Sequence, residues 1–161
     1  YGVKNGNLSM TLIKSGTYPN QNADIGKHEF TYSIYPHHGR WQEADTVKLA
    51  YNLNVPLWAS LEKCDGKSGG ADAVMNSLIQ CDRKDCFLET VKRSEDGKDW
   101  IVRMYENCNS NVRAEISLGI PVKGVEECNL LEEKVDELTV KDGRFQVRFK
   151  PFEIKTFRLV M

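Results

Sequence analysis

Several short segments of this chain alternate apolar with polar residues, and this period of two limits the folds it can adopt. The alternation is clearest over residues 8–13, 30–35 and 145–150. A period of two places every second side chain on the same face of a β-strand, so that one face is buried. Weaker candidates follow the same pattern, over residues 57–61, 74–80, 87–91, 100–105, 112–118, 137–140 and 152–160. The chain is therefore predicted to consist mainly of strands.

Glycine-containing turns separate several of these strands. Asp96-Gly97 lies between the strands predicted over 87–93 and 100–106, and Asp142-Gly143 lies between those over 137–140 and 145–150. Asn5-Gly6 is a third candidate. These dipeptides accept the positive φ angles of a tight type I′ turn, which joins antiparallel strands.

One segment has helical spacing instead. Between residues 42 and 52, apolar side chains recur at Ala44, Val47, Ala50 and Tyr51, and neither Gly nor Pro interrupts them. We expect a short amphipathic helix here that ends before Pro56.

Many short strands joined by turns, with one helix, are typical of an all-β fold. An antiparallel β-sandwich is the favoured architecture, as a single domain over residues 1–161. A barrel fits the same alternation, and the pattern alone does not separate the two. The chain begins at Tyr1 without Met, and the first predicted strand lies close to this residue. We expect a fragment cut from a longer protein, although removal of a tag by a protease would leave a similar start.

The charge balance argues against two classes of partner. The chain has 22 Lys and Arg residues against 23 Asp and Glu residues. Nearly neutral charge gives no electrostatic reason to bind nucleic acid or an anionic membrane surface. No apolar run approaches the roughly 20 residues of a membrane-spanning helix, so no membrane association is expected.

Five cysteines are present, an odd number that argues against a fully paired disulfide framework. Only Cys81 and Cys86 are close in sequence, with four residues between them, whereas two-residue spacing is the stronger zinc signal. We expect reduced thiols and a cytoplasmic location.

The three histidines do not predict a metal site. His28 and His37 fall at opposite ends of one predicted strand, and His38 points away from its neighbour. Asp24 and His28 are candidates for an acid–base pair in the polar loop over 16–28, although local hydrogen bonding of the loop is the favoured interpretation. The loop remains the best functional candidate, because recognition residues concentrate on loops held by rigid sheets.

Seven blocks of sequence resemble segments of glycoside hydrolase family 38 α-mannosidases, in particular the bacterial-type members. In chain order they are TYPN at 17–20, ADIGKHEFTY at 23–32, YPH at 35–37, RSEDG at 93–97, VRMYE at 102–106, ECNLLEE at 127–133 and PFEIKTFRL at 151–159. They span nearly the whole chain, and seven blocks in the correct order are more specific than any one of them.

The resemblance implies an accessory role. Members of the family carry a zinc ion and an Asp nucleophile on an N-terminal α/β-barrel, followed by a helical domain and C-terminal β-sandwich domains. They hydrolyse α-mannosides with retention of configuration, through a covalent intermediate. No block of the barrel is present here. The resemblance therefore implies a C-terminal accessory sandwich without a cofactor of its own. It would be inactive alone and would pack on the catalytic and helical domains of its parent.

The resemblance also implies that the segment over 17–30 reaches the rim of the parent's active site. Asp24, His28 and Tyr18 are then the candidate substrate-rim residues. An independent carbohydrate-binding module is the alternative, recognisable by a row of exposed aromatic rings. A purely structural interaction domain is the third possibility and predicts an exposed apolar patch.

Overall fold

The computed structural model describes residues 1–60 and 77–161, which form two compact units. The first unit, Tyr1–Pro36, contains a small antiparallel hairpin of β1 (Gly2–Lys4) and β2 (Asn7–Ser9). Asn5 and Gly6 join the two strands with φ angles of 53° and 76°. The predicted Asn-Gly turn is thus confirmed.

The remainder of the first unit departs from the sequence prediction. The strand predicted over 8–13 ends at Ser9, and the segment over 30–35 adopts no regular strand. No strand among the described residues pairs with 30–35, and an unpaired strand is not stable in water. All residues of this unit are exposed.

The second unit, His37–Met161, begins with the predicted helix. Helix α1 covers Thr46–Asn54, about one turn later than the predicted 42–52, because residues 41–45 form turns. Its last cap bond runs from the Val55 N–H to the Tyr51 carbonyl at 2.7 Å. The helix therefore ends before Pro56, as predicted.

Among residues 77–161, eight strands follow, and they form two antiparallel sheets. They are β3 (Ile79–Cys81), β4 (Cys86–Arg93), β5 (Trp100–Glu106), β6 (Val112–Leu118), β7 (Gly124–Cys128), β8 (Lys134–Leu138), β9 (Arg144–Phe149) and β10 (Ile154–Val160). One sheet has the order β4-β5-β10-β7-β8, and the other has the order β3-β6-β9. Of the predicted strand over 74–80, only its end is seen, because 74–76 lie outside the described residues. Residues 57–60 adopt no strand, and Leu61 is likewise outside.

A single apolar core lies between these two sheets. Its buried members come from seven of the eight strands, namely Ile79, Cys86, Val102, Met104, Ala114, Ile116, Val125, Phe145, Val147, Phe149, Phe157 and Leu159. The rings of Phe145 and Phe157 meet edge to face across the core, with centroids 5.3 Å apart. Two packed sheets with one core confirm the predicted β-sandwich.

Two of the predicted turns differ from expectation, one in its turn type and the other in the strands that it joins. In the connection from β4 to β5, Gly97 has a φ of 70° but Asp96 does not have a positive φ, so the turn is not type I′. The Gly97 N–H instead closes a turn on the Ser94 carbonyl at 2.8 Å. Asp142 and Gly143 do form the expected turn, with φ angles of 50° and 70°. However, β8 and β9 belong to different sheets, so this turn carries the chain from one sheet to the other.

Within the described part of the chain, no helix is long and apolar enough to cross a membrane.

Candidate functional site

The predicted rim residues lie on the exposed segment that follows the first hairpin. The His28 ring, through Nε2, is 2.8 Å from the main-chain carbonyl oxygen of Asp24. This is a local loop contact, and it leaves the Asp24 carboxylate without a hydrogen-bond partner among the described residues. The Tyr18 side chain is 92% exposed and contacts neither of the other two. The structure thus brings Asp24 and His28 together, and their role at a rim stays a prediction.

A groove of about 250 Å³ lies beside α1 in the second unit. Aromatic, polar and cysteine side chains line it, among them Trp41, Gln42, Lys48, Lys84 and Cys108. Within the described residues, the side chains of Gln42, Lys48 and Lys84 have no hydrogen-bond or ion-pair partner. The groove therefore offers free polar groups next to an aromatic ring.

Three aromatic rings hold α1 against the outer face of the five-stranded sheet. Tyr51 of α1 lies on Phe87 with ring centroids 4.1 Å apart, and Phe87 in turn lies 5.7 Å from Tyr105. Burial, together with the hydrogen bond that the Tyr105 hydroxyl shares with Tyr51, raises the pKa of Tyr105. The stack fixes one wall of the groove.

Glu106, at the end of β5, is a fully buried carboxylate with four hydrogen-bond donors. Oε1 accepts from the Cys108 N–H at 2.7 Å and from the Ser110 hydroxyl at 3.0 Å. Oε2 accepts from the Asn109 N–H at 3.0 Å and from the Phe152 N–H at 2.9 Å. Glu106 thus ties the 107–110 turn to the turn before β10. Its lone pairs are occupied, so its role is structural.

Arg158 in β10 ties the last strand to the 94–99 turn. Its guanidinium donates to Asp96 at 2.5 Å and to Asp99 at 2.7 Å. The Ser94 hydroxyl donates to the other oxygen of Asp96 at 2.6 Å, and the Met161 N–H donates to Asp99 at 3.0 Å. Both carboxylates therefore have fixed partners.

Asp96 and Asp99 share one guanidinium, and their chemistry is unsuitable for the carboxyl pair of a glycosidase. The Ser94 hydroxyl and then Arg158 lower the pKa of Asp96. The Met161 N–H and Arg158 lower the pKa of Asp99 against the opposing effect of burial. A retaining glycosidase needs one carboxyl that carries a proton near neutral pH and another that is free to attack. Two ionised carboxylates on one guanidinium serve neither purpose.

The loop between β7 and β8 is anchored in the same way. Asn129 Oδ1 accepts from the Leu131 and Glu133 N–H groups at 2.9 and 3.0 Å. Glu132 reaches Lys92 of β4 at 2.7 Å and accepts from the Glu95 N–H at 2.8 Å. The sequence blocks around 93–97, 102–106, 127–133 and 151–159 therefore supply residues that hold the sandwich together.

Most of the sandwich matches a known protein family in sequence. Residues 86–157, from the start of β4 into β10, match the sequence model of the Glycosyl hydrolases family 38 C-terminal beta sandwich domain. This part of the chain is a family 38 C-terminal β-sandwich domain.

Full-length relatives of this family 38 domain are much longer than the chain. It is 33% identical over 164 residues to alpha-mannosidase G of Dictyostelium discoideum, covering 99% of this chain and 15% of the relative. It is 34% identical over 166 residues to human alpha-mannosidase 2C1, with the same two coverages. The Saccharomyces cerevisiae alpha-mannosidase is 32% identical over 178 residues, and the match covers 99% of this chain and 16% of the relative. The chain thus spans about 15% of the length of these relatives.

The side chains that the structure describes do not fit a zinc site. Among residues 1–60 and 77–161, no group of three or more His, Cys, Asp or Glu side chains is placed to hold a metal ion. His28 is bonded to a main-chain carbonyl, and the carboxylates of Asp96, Asp99, Glu106 and Glu132 have other partners. Consequently, no catalytic step is assigned to a metal within this domain.

Sequence reasoning missed the residues that bind the domain together. Glu106 was noticed only as part of a motif block, because nothing in the spacing shows that a charged residue ending a strand is buried. The pairing of Arg158 with Asp96 and Asp99 joins residues about 60 positions apart. The only indication of this pairing in the sequence is that the 93–97 block carries the acidic Asp96 and the 151–159 block carries the basic Arg158.

Proposed function

We propose that this chain is the C-terminal accessory domain of a zinc-dependent, retaining α-mannosidase. In this proposal, it packs on the catalytic and helical domains of the same polypeptide, which bind the zinc ion and the α-mannoside. The match of residues 86–157 to the family 38 C-terminal domain carries the proposal. The fixed pairing of its buried and partly buried carboxylates supports a role outside the chemistry itself.

The first unit supports the docking part of the proposal. Its apolar side chains are exposed, for example Leu8 at 60%, Tyr32 at 60% and Ile34 at 71%. Together with Tyr1, Met10 and Leu12 they line a cavity of about 440 Å³. Contiguous exposed apolar side chains mark an interaction surface. Neighbouring domains of the same polypeptide are the natural partner.

We also propose that Asp24, His28 and Tyr18 lie at the rim of the parent's active site. The free carboxylate of Asp24 then contacts a sugar hydroxyl, and His28 holds the Asp24 main chain in place. In the intact polypeptide, Asp24→Ala is expected to lower kcat/KM for an aryl α-mannoside by about tenfold, equivalent to one lost hydrogen bond to a charged group. Lys27→Ala, which removes only the exposed pair with Glu29, is the matched control.

This experiment tests the rim assignment and the accessory role independently of each other. Unchanged kinetics of Asp24→Ala would reject the rim assignment and leave the accessory role standing. Absence of α-mannosidase activity in the intact wild-type polypeptide would reject the function itself.

Two finer assignments remain predictions within this proposal. The relatives reported above are eukaryotic proteins, and the affiliation with bacterial-type enzymes rests on the sequence blocks alone. A cytoplasmic location is supported by the four described cysteines, Cys81, Cys86, Cys108 and Cys128, all of which are unbridged thiols.

Carbohydrate binding by the domain itself is the second candidate function, favoured by the groove beside α1. Sugars are bound by an aromatic face together with free donors and acceptors, and Trp41 with Gln42, Lys48 and Lys84 supplies both. Calorimetry with mannose oligosaccharides is expected to give a dissociation constant of about 1 mM. The Trp41→Ala variant is expected to lose this binding. Trp100→Ala, at a ring of similar exposure on β5, leaves it unchanged. No heat at millimolar ligand would reject this function.

A further inference from the structure

Cys81 and Cys86 connect the two sheets of the sandwich. Cys81 is the last residue of β3 in the three-stranded sheet, and Cys86 is the first residue of β4 in the five-stranded sheet. The chain therefore changes sheets in the four residues between them. Within the described residues, only the connection from β9 to β10 crosses between the sheets in as few residues.

Hydrogen bonds from both sheets hold this connection. The Asp82 N–H donates to the Glu115 carbonyl at 3.1 Å, and the Glu115 N–H donates back to the Asp82 carboxylate at 2.7 Å. At the other end, the Asn107 N–H donates to the Asp85 carbonyl at 2.9 Å. The positions of the two cysteines are thus fixed by their neighbours.

The two side chains meet inside the sandwich. Cys86 belongs to the apolar core with 5% of its surface exposed, and Cys81 packs against that core from a partly exposed position. The two thiols lie close enough for each to shift the pKa of the other, downward at Cys81 and upward at Cys86. Both are present as free thiols.

We propose that Cys81 and Cys86 are a modification site that forms a reversible disulfide between the two sheets, by exchange with a small disulfide such as oxidised glutathione. The pair is preorganised, because the four-residue connection between the strands places both side chains against the same apolar core. The bridge fastens β3 to the five-stranded sheet, since among the described strands β3 pairs only with β6. It closes under oxidising conditions and opens when thiols are in excess.

The order of the exchange follows from exposure and proton affinity. Interaction with the Cys86 thiol lowers the pKa of Cys81, whereas interaction with the Cys81 thiol, together with burial, raises the pKa of Cys86. The Cys81 thiolate therefore attacks one sulfur of the glutathione disulfide, whose S–S bond breaks and releases one glutathione as a thiol. Cys86 then gives up its proton and attacks the Cys81 sulfur, which releases the second glutathione. Two protein thiols are oxidised and one glutathione disulfide is reduced, so atoms and electrons balance.

Two other described thiols are less suited to this bridge. Cys108 lines the same groove as Cys86, but its thiol donates to Asn107 Oδ1 at 3.0 Å. Cys128 lies on β7, and its sulfur is directed at the Glu126 carbonyl. Cys64 lies outside the described residues, and Cys64→Ser is used as the background for the test.

The test treats this Cys64→Ser chain with oxidised glutathione, then alkylates the remaining thiols and maps the peptides. We expect a protein lighter by two hydrogen atoms, a bridge between Cys81 and Cys86, and full reversal by dithiothreitol. Adding Cys108→Ser leaves the bridge intact, whereas adding Cys81→Ser or Cys86→Ser abolishes it. The oxidised form is expected to melt about 5 °C higher than the reduced form.

Three results would overturn the proposal. One is retention of all four thiols by the Cys64→Ser chain at a glutathione disulfide concentration that oxidises a control dithiol peptide. Another is a bridge that maps to Cys86 and Cys108 instead. An unchanged or lower melting temperature of the bridged form would show that the bond does not fasten the sheets. The first two results come from a chain with every core cysteine intact, so misfolding of a variant does not obscure them.

Discussion

Glu106→Gln is expected to destabilise the sandwich by about 3 kcal/mol, the largest loss we expect from replacing a single atom. The glutamine amide has one acceptor oxygen, whereas the Glu106 carboxylate accepts two donors on each of its two oxygens. In either orientation, the new NH₂ group faces a main-chain N–H, of Cys108 or of Phe152. At least one buried donor then loses its partner at a site with no access to water. Urea unfolding of both proteins measures the difference.

Glu153→Gln is the matched control for this variant. Glu153 lies in the turn just before β10, and its carboxylate accepts one main-chain N–H, from Lys150, at 2.7 Å. Its side chain retains access to water, which replaces a lost bond. We expect the control to cost less than about 1 kcal/mol. Equal losses for the two variants would show that Glu106 does not organise the turns.

The pH dependence gives an independent test of Glu106. Burial raises the pKa of this carboxyl, but the N–H groups of Phe152 and Cys108 and the Ser110 hydroxyl outweigh it, so the net pKa lies below its usual range. A carboxyl with a lowered pKa in the folded state stabilises the fold above its unfolded pKa. This contribution is lost as the pH falls through the folded value. The difference in stability between wild type and Glu106→Gln should therefore shrink as the solution is acidified below about pH 4.

The period-two alternation predicted most of the second unit correctly. Val112–Leu118 was placed without error, and the helix was found within about one turn. Strand β7, Gly124–Cys128, was missed. Two glutamates follow one another between Val125 and Cys128, which hides the alternation. The sequence also did not predict which strands share a sheet. An Asp-Gly turn has the same sequence whether it joins two neighbouring strands of one sheet or connects strands of different sheets.

The first unit shows why an alternating pattern alone does not make a strand. Residues 30–35 have the clearest alternation in the chain, yet no strand forms there. A strand needs main-chain partners, and none of the described strands pairs with this segment. The pattern therefore indicates an apolar face, and the proposal assigns that face to neighbouring domains of the parent polypeptide.

The candidate site was predicted least well, for physical reasons. The proximity of Asp24 and His28 follows from four-residue spacing, whereas their function depends on contacts outside this chain. The sequence shows only that four residues separate Cys81 from Cys86. The structure adds that the two cysteines lie on strands of different sheets. Hydrogen-bond hubs such as Glu106 depend on turns brought together from distant parts of the chain.

The central claim is that this sandwich supports an active centre that it does not contain. The most direct measurement is the hydrolysis of an aryl α-mannoside by the purified chain, with zinc added, next to a mock preparation from the same cells. The account predicts no turnover above the mock preparation, a loss of about a million-fold relative to a competent glycosidase. Turnover that co-purifies with the chain and exceeds the mock preparation would contradict it.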